Sequence, residues 1–266
     1  MLRTPELTGE VEPELVKSSE SKAVLPKSSE NMILAPGKDI EIIEDEGMFK
    51  GAVEERIRQW FETSDESSYF VGYGGLPGVG KTTLMESLRN ICSRLNVNLF
   101  EIGVDQFIQT DRNSPMRELI TKDPKIFERL YYCKESVKKA LNTAHQMNGH
   151  GARVQFERMY DRKDGTVKPG QIVIPQGRKV ILLEGVGSIP IIDELHQKQN
   201  ASVLKVHVHD QPQEAMRRAI NRDLASGSRK RADAERLRTA EYNHLVEPEN
   251  KVNPKKADII YMVQAA

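Results

Sequence analysis

Apolar positions are scattered for the first 45 residues and then fall into regular spacings. Over 1–45, Leu and Val are dispersed among Glu, Ser, Pro and Lys. Such a segment buries too little apolar surface to offset its ordering entropy, so it is expected to be a flexible arm. Within it, the alternation in Asp39–Glu44 (DIEIIE) suits a short strand or a partner contact. From Met48 the period lengthens: Val53, Ile57, Trp60 and Phe61 lie at i, i+4, i+7 and i+8, one helix face. Tyr69–Tyr73 (YFVGY) reads as a buried strand, followed by a helix from Lys81 to about Leu95 and a second strand at Asn98–Ile102. A long helix is expected to open at Asp123 or Pro124, with Phe127, Leu130, Tyr131, Val137, Leu141 and Ala144 as its stripe. Arg153–Tyr160 and Gln171–Pro175 read as a strand pair around the turn Lys163-Asp164-Gly165.

Lys179–Leu183 (KVILL) and Val203–Val208 are continuous apolar runs of the kind buried in a parallel sheet. Helices are expected at Pro212–Ala225 and Ala232–Tyr242, and a last strand at Asp258–Val263. Apolar strands alternating with helices predict an α/β, three-layer fold, a mostly parallel sheet with helices on both faces. The expected organisation is one domain over 46–266 behind an arm at 1–45.

Charge changes the picture little. Lys plus Arg number 39 and Asp plus Glu 39, so the net charge is zero, and backbone binding to nucleic acid needs an excess of cations. No apolar run approaches the roughly 20 residues of a membrane span, and Met1–Glu20 has no apolar signal-like core. A cytoplasmic protein with neither nucleic-acid nor membrane partners is expected, and a homodimer is compatible with the pattern. Cys92 and Cys133 have no CxxC spacing and read as small buried hydrophobes.

The candidate chemistry begins at Gly75-Leu76-Pro77-Gly78-Val79-Gly80-Lys81-Thr82, a full GxxxxGK[ST] match between an apolar strand and a helix. The glycines let backbone N–H groups turn inward around phosphate oxygens, and the helix that follows adds its positive dipole end. Lys81 is placed for the β/γ-phosphates and Thr82 for Mg²⁺. Gly75, Gly78, Val79, Gly80, Lys81, Thr82 and Thr83 are therefore the expected nucleotide-binding set. No guanine-reading Asn-Lys-x-Asp is present; Asn253-Pro254-Lys255-Lys256 is the nearest string and does not match.

Two acids follow strands. Asp105, in LFEIGVDQF, stands where a parallel strand delivers a carboxylate to the ligand crevice, as a general base for a substrate hydroxyl or as a turn cap. Glu184 follows KVILL in the position from which a carboxylate supports Mg²⁺; a capping acid is the alternative. Arg217–Arg231 (RRAINRDLASGSRKR) is basic with a Gly/Ser break. It suits a mobile flap closing on phosphates and excluding water, or else a solvated helix face; a nucleic-acid patch is the third reading, although aromatic interleaving is absent. Tyr160, Asp161 and Arg162, with Asp105 and Glu184, are the candidate acceptor-binding residues. His207 and His209 share a strand face but have no third ligand at metal spacing.

Taken together, GLPGVGKTT, VDQF, the Tyr160-Asp161 pair, VILLEG, RDLASGSR and KKADIIY resemble the uridine kinase/phosphoribulokinase/pantothenate kinase group of P-loop kinases, from about Tyr69 to Tyr261. The resemblance implies a P-loop NTPase fold with an Arg-rich lid and ATP and Mg²⁺ as cofactors. It also implies Asp105 activating a hydroxyl beside Mg²⁺ held near Thr82, Glu184 and Asp105. Arg218, Arg222 and Arg229 would then reach the ATP phosphates, and the adenine would lie near Asp258. Two positions depart from the uridine kinase pattern. Ile108 stands where those enzymes carry Tyr, and Arg162-Lys163-Asp164-Gly165 replaces a His and an Arg. The expected activity is therefore γ-phosphate transfer from Mg·ATP to a hydroxyl of a small metabolite: a nucleoside, sugar, hydroxy acid or pantothenate-like alcohol. Lys81, Asp105, Arg222 and Arg229 are the expected catalytic residues. A nucleotide-dependent switch, or a phosphotransferase acting on a macromolecule or antibiotic, are the alternatives.

Overall fold

The computed structural model describes residues 39–123, 125, 131–227 and 229–263. Most of the expected arm, and Phe127 and Leu130, lie outside the described residues. A first short strand, β1 (Glu41–Ile43), falls within DIEIIE and joins the main sheet, so the sheet reaches back into the segment read as an arm. Helix α1 (Glu46–Thr63) follows, capped by Asp45, which accepts from the Met48 N–H at 2.8 Å. Its buried face is Phe49, Val53, Ile57 and Trp60. Phe61 is off that face, and the Arg178 guanidinium covers its ring and that of Trp60. Arg178 also donates to the carbonyls of Phe61, Ser64 and Glu66. It thereby ties the end of α1 to the strand that starts at Lys179.

The central strand β2 (Ser68–Gly75) is buried throughout and leads through the glycine-rich loop into α2 (Lys81–Arg94) and β3 (Asn98–Gly103). The later strands are β6 (Lys179–Glu184), β7 (Val203–His209) and β8 (Ile259–Met262). The sheet order is β1-β8-β7-β2-β6-β3, and every pairing is parallel. From β2 the chain goes to β3 on one side, with β6 inserted between them; from β6 it crosses back to β7 on the other. That reversal puts a crevice beyond the C-terminal ends of β2 and its neighbours, where such sheets bind ligands. Helix α5 (Ser188–Gln199) packs on β2. Glycine at 74 permits this contact, since a Cβ there would lie 2.8 Å from Ile189.

The long helix expected from Asp123 is not continuous. A short helix, α3 (Pro115–Lys122), ends at an extended Asp123; Lys125 is helical, residues 131–133 are not, and α4 runs from Lys134 to Gln146. Residues 131–133 instead pair with the segment after β3: the Gln109 N–H donates to Tyr131 and the Cys133 N–H to Phe107. Two strand-like hydrogen bonds outcompete the helical period there. Val137, Leu141 and Ala144 do form the buried face of α4, but Tyr131 is outside the helix. The strand pair appears as expected, β4 (Ala152–Asp161) antiparallel to β5 (Thr166–Ile174), with a bulge between Phe156 and Met159. Helices α6 (Pro212–Ala225), α7 (Arg231–Glu241) and α8 (Glu247–Lys256) precede β8. No helix among the described residues is long and apolar enough to cross a membrane.

Candidate active site

The loop after β2 is shaped by close backbone approaches. Gly75, Gly78 and Gly80 all have positive φ, at 136°, 88° and 89°. A Cβ on Gly75 would meet the Val208 carbonyl oxygen at 2.3 Å, and one on Gly78 would meet that of Ala215 at 2.1 Å. Gly80 has open space, so only its left-handed backbone requires glycine. Helix α2 starts here, so the positive end of its dipole lies at the loop. Lys81 is buried, and its ammonium donates to the carbonyls of Gly75 at 2.9 Å and Leu76 at 2.7 Å. Val79 belongs to the core, and the Thr83 N–H donates to Gly80 at 2.9 Å. Gly75, Val79 and Thr83 therefore shape the loop without lining the cleft in front of it.

That cleft, about 210 Å³, is lined by Gly78, Gly80, Lys81, Thr82, Asp105 and Glu184, with Arg162, Arg218 and Arg222 on the facing side. It opens into an outer cleft of about 440 Å³ that shares Thr82, Asp105, Arg162 and Arg222 and adds Tyr160 and Arg229. Asp105 lies in the 3-10 turn Val104–Phe107 directly after β3 and accepts a hydrogen bond from Arg162 at 2.9 Å. Glu184 ends β6 and pairs in register with Tyr73 and Gly103. Burial holds its carboxyl above the usual value, with the Lys81 ammonium pulling the other way.

The lid arginines divide into three roles. Arg218 lines the cleft, but it also donates to the Gly78 carbonyl at 2.9 Å and pairs with buried Asp210. It braces α6 against the loop. Arg229 is held by Asp223 at 3.0 Å and borders the outer cleft but not the inner one. Arg222 lines both clefts, and its guanidinium makes no hydrogen bond or ion pair among the described residues. Desolvation, then the neighbouring Arg238 charge, lower its pKa. Arg222 is thus the lid arginine best placed to meet an incoming anion.

Asp161 departs from expectation. It accepts from the Lys163 N–H at 2.9 Å and pairs with Lys168 at 2.8 Å, capping the β4–β5 turn, and it lines neither cleft. Asp258 departs too. It accepts from the Lys205 N–H at 2.8 Å at the entry of β8, and it lines neither cleft either. The His207 and His209 rings lie 5.8 Å apart on β7, tilted by 48°, and no group of three His, Cys, Asp or Glu is placed to hold a metal among the described residues.

Two cleft residues, Arg238 and Glu241, had no sequence signal. Arg238 donates to Asp223 at 2.8 and 2.9 Å and to Glu241, which accepts from the Tyr131 hydroxyl. Asp223, Glu241 and the Tyr131 ring are all buried. In the sequence, Arg238 and Glu241 at i, i+3 look no different from exposed pairs such as Asp233 and Arg236.

No protein-family model matches the chain, and no curated protein sequence matches it. Solved structures do. A protein assigned as a fructose transport system kinase from Silicibacter sp. aligns at 17% identity and a TM-score of 0.56, covering 80% of this chain and 98% of that one. YFH7 from Saccharomyces cerevisiae, assigned as a P-loop kinase with a circular permutation, aligns at 13% identity and a TM-score of 0.53, covering 84% and 99%. At such identities the likeness is one of fold. The chain therefore has the three-layer α/β fold shared by a broad group of P-loop kinases.

Proposed function

We propose that the chain is a kinase that transfers the γ-phosphate of Mg·ATP to a hydroxyl of a small metabolite. The observation that carries this reading is the position of Asp105. A carboxylate held by Arg162 stands in one cleft with the P-loop lysine, Thr82 and Glu184, and faces a second, open cleft. The residues fit the cofactor. The two cleft-lining glycines with positive φ, Gly78 and Gly80, and the start of α2 suit phosphate oxygens. The Thr82 hydroxyl with Glu184 and Asp105 would hold Mg²⁺, a hard cation that takes its remaining ligands from phosphates and water. When bound, Mg·ATP supplies the transferable phosphoryl group.

The chain's own residues do the rest. Asp105 accepts the proton of the attacking hydroxyl, and Arg162 fixes the direction of its carboxylate. Lys81, Arg222 and Arg229 present positive charge where negative charge spreads in the transition state. Arg218 keeps the loop in register with α6, and the Asp223–Arg238–Glu241–Tyr131 network keeps the lid helices stiff. The acceptor lies in the outer cleft beside Tyr160 and Arg162, as a nucleoside, sugar, hydroxy acid or pantothenate-like alcohol. ADP release measured with Mg·ATP across such a panel, beside Lys81→Ala, tests the reading. Turnover with one acceptor class, lost in Lys81→Ala, is expected; slow hydrolysis indifferent to every acceptor would refute it.

A further inference from the structure

A third cleft of about 640 Å³ adjoins the outer one and shares Arg112 and Arg229 with it. Its charged lining is Arg112, Arg117, Arg229, Lys230 and Arg236 against Asp233 alone, and Asp233 already pairs with Arg236 at 3.1 Å. Arg117 is the telling residue. Its side chain is only 7% exposed, yet it has no carboxylate partner among the described residues. One N–H donates to the Thr110 carbonyl at 3.3 Å, and its Nε is buried with no acceptor. The guanidinium lies 5.5 Å from the Tyr160 ring and 6.0 Å from that of Tyr131. Aromatic faces compensate a buried cation only in part, and burial of an unpaired charge is unfavourable. Arg112 repeats the pattern: one N–H donates to the Arg162 carbonyl at 2.6 Å, and its Nε is also buried without an acceptor. Lys230 is exposed at the rim.

We infer that this cleft binds an anionic group, a carboxylate or a phosphate, carried by the acceptor whose hydroxyl reaches Asp105. The inference rests on the kinase reading and narrows it. Neutral nucleosides and unsubstituted sugars leave Arg117 and Arg112 unpaired, whereas a hydroxy acid or a phosphorylated alcohol satisfies both. Planar guanidinium forks favour such oxyanions over neutral hydroxyls. The cleft is lined by none of the P-loop residues and meets the outer cleft, which contains Asp105, at Arg112 and Arg229, so the acceptor is held at one end while its hydroxyl lies at the other.

Isothermal titration of the full chain loaded with Mg²⁺ and a non-hydrolysable ATP analogue tests this, using inorganic phosphate and malonate in separate arms. With the P-loop filled, one of the two anions is expected to bind. Arg117→Met, and independently Arg112→Met, are expected to weaken it about tenfold or more while leaving analogue affinity unchanged. Arg117→Met is also expected to melt no lower than wild type, because it removes an uncompensated buried charge; a purely structural arginine would give a lower melting temperature. Preference for phosphate assigns a phosphorylated alcohol, and preference for malonate a hydroxy acid. Analogue binding with neither anion bound, or anion affinity unchanged in both variants, overturns the inference alone. Failure of the analogue itself to bind removes the kinase reading and the inference with it.

Discussion

Replacing Asp105 by Asn separates its chemical role from its structural one. Among the described residues Asp105 makes a single ion pair, to Arg162 at 2.9 Å, and the two side chains are 35% and 60% exposed. A pair so open to water contributes about 1 kcal/mol or less. The melting temperature should therefore move by no more than about 2–4 °C. If Asp105 is the general base, kcat should fall roughly 10²–10⁴-fold, which at 1.36 kcal/mol per decade is about 2.7–5.4 kcal/mol of transition-state stabilisation. Asn keeps the size and a hydrogen-bonding oxygen, so nucleotide affinity should hold. The assay is coupled ADP release with the acceptor found by the panel, alongside thermal melting and analogue titration. Near wild-type turnover would refute the assignment. So would a loss of turnover that tracks an equal loss of stability, because Asp105 would then be a fold residue.

Other expectations follow from buried groups. Asp223 is buried and accepts from Arg229 and Arg238, so Asp223→Asn should cost about 3–5 kcal/mol, or a melting temperature lower by roughly 6–20 °C. Burial alone would raise the Asp223 pKa, but Arg238 and Arg229 outweigh it and hold it below its ordinary value of 3.8. The gap between wild type and Asp223→Asn should therefore be full above that value and shrink as pH falls through the lower folded one; a pH-independent gap would contradict this. His207 is buried with neither ring nitrogen hydrogen-bonded among the described residues, and burial, then His209 and Lys81, push its pKa down to about 3. Wild type should thus lose stability relative to His207→Leu as pH drops below the ordinary 6.5, by up to about 1.4 kcal/mol per unit, visible in denaturant melts. Gly78→Ala drives a Cβ against the Ala215 carbonyl oxygen at a positive φ. It should abolish analogue binding in titration by displacing the loop from α6, and retained affinity would show the loop to be pliable.

The sheet was legible because its strands are continuous apolar runs. YFVGY and KVILL admit no other buried role at that length, and the hairpin announces itself by Lys163-Asp164-Gly165 between alternating strands. The helix expected from Asp123 or Pro124 is interrupted at residues 131–133 because a 3.6 period carries no information about a competing strand-like bridge, here between Ile108 and Tyr132. Helix α5 passed unseen, its apolar residues clustered behind Gly185-Val186-Gly187 with Pro190 in the first turn. At the site, motif residues such as Lys81 and Thr82 were readable because their spacing alone implies a phosphate cradle. Asp161 misled because a Tyr-Asp pair reads the same whether the acid faces a cleft or caps a turn. Arg117, Arg238 and Glu241 carry no local signature. Their meaning comes from partners on other elements, or from the lack of one.

The most direct test of the central claim follows the transferred atom rather than the ADP. Incubating the full chain with Mg²⁺, γ-labelled ATP and an acidic or phosphorylated alcohol, with the products resolved by phosphorus NMR, should show the label as a phosphate ester on the acceptor in step with ADP. Label released only as inorganic phosphate, at a rate the acceptor does not change, would contradict the account.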